Sequence, residues 1–258
     1  MKKINVSIGF LAVAALAALS LNQAEAADNC DFKESIKELS AIQALPHADD
    51  GPEKIKDELF VRKKLIRQTI DCAVNEALSF QSELKIINAN YPGLDDIKNR
   101  FVSKFDEIIG YYQARKDGVN DLGIEGSKIF SANLKSWRVS NFVPMAELGE
   151  SFIIFSKNQD ILQTTQNRLN QISLTLKALG LADNQKISDI LNDARKNIRF
   201  ANDYNSQAQD ILKRMSWPNN VSDLTISSLR HLKDAYQNFF DIGRETENML
   251  KPTANQSK

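Results

Sequence analysis

Apolar residues recur every three or four positions along nearly the whole chain, and few folds accept that period. Ile66, Ile70, Ala73, Ala77, Phe80, Leu84 and Ile87 step by four and three without a break, which places them on one helix face as a heptad seam. Asp49-Asp50-Gly51 precedes Pro52, a residue suited to the first helical position, and Tyr91-Pro92-Gly93 follows the seam. The spacing therefore predicts a helix from Pro52 to just before Tyr91, about 55 Å long at 1.5 Å per residue. Ile97, Phe101, Phe105, Ile108 and Tyr112 mark a second helix that runs out near Asp117-Gly118.

A loop carrying Gly118, Gly123 and Gly126 is expected next. Leu148, Phe152, Phe155, Leu162, Leu169, Ile172, Leu176 and Leu179 then mark a long helix stopped at Gly180. Ile187, Leu191, Ala194, Ile198, Ala201, Ala208, Ile211 and Met215 mark another, stopped by Trp217-Pro218. Leu229, Leu232, Tyr236, Phe239 and Leu250 mark the last, ending at Pro252. No segment alternates apolar and polar residues as a half-buried strand does, and no repeat of fixed length is evident.

Short polar breaks between long amphipathic helices favour antiparallel neighbours. The fold class is all-α: an elongated antiparallel bundle of long amphipathic helices, divided into two sub-bundles near the Gly118–Gly126 loop. The segments are then a leader over 1–26, helical hairpins over 27–120, a bundle over 121–252 and a disordered tail over 253–258.

The leader reads as a cleavable export signal. Lys2 and Lys3 give the positive start, Ile4 to Leu21 is uncharged and mostly apolar, and Ala24-Glu25-Ala26 offers the small-x-small pattern a signal peptidase accepts. An uncleaved anchor is the competing reading, opposed by the dilution of the run with Asn5, Ser7 and Gly9. A lipid anchor on Cys30 lacks the small apolar residues that should precede it. The Met-Lys-Lys start looks bacterial, so a periplasmic or secreted location is expected, with no membrane span after cleavage.

The whole chain carries 33 basic and 33 acidic residues, and removing Lys2, Lys3 and Glu25 leaves it near neutrality. Such a balance gives no general attraction to nucleic acid or anionic lipid. The two cysteines, Cys30 and Cys72, both follow the leader, and lone pairs in an oxidising compartment most often bond. A Cys30–Cys72 bridge would staple the start of the mature chain to the middle of a long helix, and without Cys-x-x-Cys spacing a redox role is disfavoured.

Recognisable chemistry is thin. His47, beside Asp49 and Asp50, and His231 are the only histidines, and no His-x-x-x-His or Glu-x-x-His pair exists to hold a metal. Phosphate loops and a Gly-x-Ser-x-Gly elbow are missing, so no cofactor is expected. Asp95-Asp96 suits the positive end of a helix dipole. Asn220-Val221-Ser222 matches a glycosylation acceptor but equally a helix start.

Two regions stand apart. Trp137, Arg138, Phe142, Pro144, Glu147, Glu150, Phe152 and Phe155 gather aromatic and charged residues around a proline that should kink or break a helix. A groove at that bend is the candidate binding surface; the plainer alternative makes the aromatics core and pairs Arg138 with a glutamate at the surface. Further on, Gln159 and Gln166 continue the seam, with Asn167, Asn170 and Gln171 nearby, as register-setting amides or a polar cavity lining.

The functional expectation is a non-enzymatic interaction or scaffold module of a bacterial envelope, contacting an envelope protein or itself. The alternative is a ligand-binding or chaperone-like bundle carrying an apolar small molecule between helices near Pro144. A hydrolase using Glu147, Glu150 and Arg138 ranks behind both.

Overall fold

The computed structural model describes residues 30–45, 51–87, 91–215 and 220–250. The leader, the tail, His47, Asp49, Asp50, Trp217 and Pro218 lie outside the described residues, and with them the expectations placed on 1–26 and 253–258. Among the described residues the protein is all-α, without a strand. The helices are α1 (Lys33–Ala44), α2 (Pro52–Ile86), α3 (Leu94–Asp117), α4 (Ile124–Trp137), α5 (Val143–Ala178), α6 (Gln185–Arg214) and α7 (Val221–Leu250). None of them is long and apolar enough to cross a membrane.

Pro52 opens α2 as expected, and Gly180 closes α5. Gly180 has φ of +68°. Its amide donates to the Lys177 carbonyl while that of Leu181 reaches back to Leu176, which satisfies carbonyls that the helix end leaves open. The glycine-rich stretch after α3 is more ordered than a loop: Gly118–Asp121 form a 3₁₀ turn, and Gly126 lies inside α4. Both α1 and α4 are short amphipathic helices that the seam reading passed over.

The helices fall into two compact units: the described residues within 1–87 and 98–147, and those within 88–97 and 148–258. The division runs inside α3 and inside α5.

In the first unit α1 packs on α2 through Phe32, Leu39, Val61, Leu65 and Cys72. Cys30 and Cys72 form the expected disulfide, with Cα atoms 5.6 Å apart. Phe80 stacks on Phe105 at 5.6 Å, and Phe142 meets both rings edge-on at 6.3 Å. A buried Gln81 ties α2 to α3 by donating to the Val102 carbonyl (3.2 Å) and to Asp106 (2.6 Å).

In the second unit α6 and α7 form an antiparallel hairpin whose backbones approach closely. The reason is a seven-residue seam on each helix with small residues in its middle. Ile187, Ala194, Ala201 and Ala208 run along α6; Val221, Ser228, Ala235 and Ile242 run along α7, all buried. Bulky ends and small middles let the two helices nest. The third helix, α5, adds larger knobs, with Leu162 packed on the hairpin's alanines and Leu176 on Ile187 and Ile242.

Candidate functional site

A π-helical turn, Arg138–Phe142, precedes Pro144 and joins α4 to α5 without interrupting the helical path. Pro144 lacks an amide hydrogen and its ring crowds the preceding turn. The wider turn meets that demand: the Val143 amide bonds the Arg138 carbonyl, five residues back. The proline, expected to kink or break the helix, is absorbed as a π turn.

Arg138 projects from this turn into the first unit's core and is 6 % exposed. Its guanidinium grips Glu76 of α2 with two bonds, Nη1 to Oε2 at 2.8 Å and Nη2 to Oε1 at 3.0 Å. The same guanidinium lies 4.4 Å from the Phe142 ring centre. Burial opposes its charge, but the Glu76 carboxylate outweighs burial and raises its pKa above the ordinary arginine value. Beside it, burial pushes the Tyr112 phenol up to about 12, partly offset by Arg138. The Tyr112 hydroxyl has Arg138 as electrostatic neighbour yet makes no hydrogen bond of good geometry. Glu76, Tyr112, Arg138, Thr69 and Cys72 line a cavity of about 20 Å³. That is room for about one water molecule.

The residues expected to form a binding surface are dispersed between core and surface. Phe142 and Phe152 are fully buried. Trp137 is half-buried and stacks on Tyr111 at 3.7 Å. Pro144 and Glu147 are half-buried and Glu150 is exposed. Trp137 to Glu147 belong to the first unit, Glu150 and Phe152 to the second. The glutamate that holds Arg138 is Glu76, in the core rather than at the surface, 62 positions away in sequence. That partnership was out of reach of a local reading.

The polar seam of the second unit is real, displaced by one residue. Gln159 and Gln166 are half-buried, and Asn167, Asn170 and Gln171 are exposed. The buried members are Ser151, Asn158 and Thr165, spaced by seven along α5. Asn158 Nδ2 donates to Asn205 Oδ1 on α6 (2.7 Å) and to Ser228 Oγ on α7 (2.9 Å), joining three helices. Asn158 Oδ1 and Asn205 Nδ2 are left without partners. His231 is half-buried, bonded to Asn197 and stacked beside Tyr204, as a satisfied histidine.

Open space lies elsewhere in this unit. Between the C-terminal halves of α5 and α7, which run parallel, a groove of about 270 Å³ is walled by Ile172, Leu176, Leu179, Phe239, Ile242 and Gly243. Of these, the buried Leu176 and Ile242 also pack with Ile187 of α6. Gly243 adds no side chain to the wall, and a Cβ there would meet nothing within 4 Å. Thr246 lines the far end, its hydroxyl buried without a partner. At the near end Arg168 of α5 lies over the Tyr236 ring of α7, 5.4 Å from its centre.

Beyond Thr165 and Arg168, the same face of α5 carries further apolar residues. Ile154 and Ile172 are 18 residues apart, as are Ile161 and Leu179. About five helical turns separate each pair, so all four share a face. Ile154, Ile161 and Leu179 are each more than two-fifths exposed. Ile172 is half-buried against the core, so the face shows three exposed apolar side chains, one of them, Leu179, in the groove wall. Among the described residues no three metal-ligating side chains cluster. No protein-family model, curated protein or solved structure matches this chain.

Proposed function

We propose that this protein is an exported, non-enzymatic interaction module of a bacterial envelope, binding through the face that α5 and α7 present together. The observation that carries the reading is that exposed Ile154, Ile161 and Leu179 share the helix face that also walls an apolar groove. Export is supported by the charged, apolar and small-residue order of the first 26 residues, and by a cysteine pair at bonding distance, since disulfides persist in oxidising compartments.

A hydrolase built on Glu147, Glu150 and Arg138 is disfavoured on geometry. Arg138 is buried and held at both nitrogens by Glu76, so it is not free to meet a substrate. The apolar-cargo reading keeps one supporting observation, the α5–α7 groove, while Phe142 and Phe152 already fill their own surroundings near Pro144.

Photocrosslinking in intact host cells tests the module. A photoreactive phenylalanine analogue at Leu179 should give a discrete adduct, whereas the same analogue at exposed Phe60 of α2 should give none. Equal adducts from both positions, or none from Leu179, would overturn it.

A further inference from the structure

We infer that the α5–α7 groove holds a single-chain carboxylate of medium length, its acyl chain along the apolar walls and its carboxylate on Arg168. The inference rests on the reading that this face is a binding surface. Its dimensions select the ligand. From Gln171 to Leu179 the α5 wall advances about 12 Å. An extended chain gains about 1.2 Å per bond, so about ten carbons span it. The volume of about 270 Å³ lies just below that of ordinary small-molecule pockets, which run from roughly 300 Å³ upward. A groove two turns long is well matched to one acyl chain.

Charge selects the head group. No charged residue lines the groove. Arg168 lies one turn before Gln171, at the Tyr236 end, with an exposed side chain and no ion pair among the described residues. The ring of Tyr236 holds the guanidinium in place without neutralising it, since a cation over an aromatic face keeps its charge. An arginine so held offers a flat pair of donors to a carboxylate. The exposed amide of Gln171 stands between it and the apolar wall as a second donor.

Decanoate binding to the full chain, followed by isothermal titration calorimetry, tests the inference. The expected result is saturable one-to-one binding that exceeds binding of decanol, the neutral chain of equal length. Arg168→Gln should weaken decanoate by about tenfold, the loss of one charge-assisted contact, and leave decanol unchanged. Gly243→Leu should abolish both while the melting temperature holds or rises, because the position has open space and ordinary helical geometry. Thr246→Val should tighten binding by removing a partnerless hydroxyl from the chain's far end. Equal affinity of wild type and Arg168→Gln, or of decanoate and decanol, would overturn the inference. Absence of decanoate binding alongside a persistent Leu179 crosslink would sink the carboxylate and spare the interaction face; loss of both would sink both.

Discussion

At the scale of single residues the Arg138–Glu76 pair carries the greatest energetic stake. Two buried charges held by two bonds are nearly neutral as a unit, but either one alone is an uncompensated charge in the core. Glu76→Gln should therefore cost about 3 to 5 kcal/mol in urea unfolding, whereas the double change Glu76→Met with Arg138→Met should cost much less. Additive losses would contradict the coupling. Tyr112 gives a second test. Its raised pKa means the folded state holds the phenolic proton longer than the unfolded chain, so its contribution is complete below about pH 10 and fades between about 10 and about 12. Absorbance titration should show one tyrosine ionising near pH 12, and Tyr112→Phe should remove that step. Glu58 acts at the other end of the scale. Burial raises its pKa, but Gln43 and Arg62 more than compensate and hold it below the ordinary value. Its stabilising effect on the α1–α2 contact is present above the usual carboxylate pKa and lost as the pH falls through the lowered one.

At the scale of elements most of each heptad seam was legible, but Leu179 and Leu250, read as seam residues, are exposed. Every seam residue of α3 is buried, as are the alanines of α6, because a period of three and four residues fixes which face a helix must hide. Phase within a mixed seam was harder to read. Asn158 and Gln159 are adjacent amides, and only contact with Asn205 and Ser228 decides that the first is inside. Small residues carried a signal in α6 that pattern reading treated merely as apolar. Ala201→Leu should cost about 1 to 3 kcal/mol by overpacking the α6–α7 crossing, while Leu at exposed Ala132 of α4 should be close to neutral; equal effects would deny the close approach. Gly180→Ala should cost about 1 to 2 kcal/mol despite open space around it, since its left-handed backbone penalises any side chain.

At the scale of the whole molecule the division into two units predicts that damage stays local. The Cys30–Cys72 bridge closes a separation of 42 residues in the first unit. In the chain-entropy picture it contributes about 4 kcal/mol. Replacing both cysteines by serine should speed amide exchange in α1 and α2 and leave the α6–α7 hairpin unchanged. A uniform acceleration across all seven helices would show that the two units unfold together.

Local sequence settled the helical class, most helix ends, most of the buried faces and the cysteine pair, because each depends on neighbours within a turn or on there being only two thiols. Local chemistry also marked Pro144 as special, though not that a π turn would absorb it. Tertiary structure decided which glutamate meets Arg138, which amide lies inside the second unit, and where the open space is. Those outcomes depend on residues brought together from distant parts of the chain: Glu76 lies 62 positions before Arg138, and Arg168 meets Tyr236 across two helices. The period of a single helix specifies the face it buries; only packing between helices specifies the partner and the gaps left over.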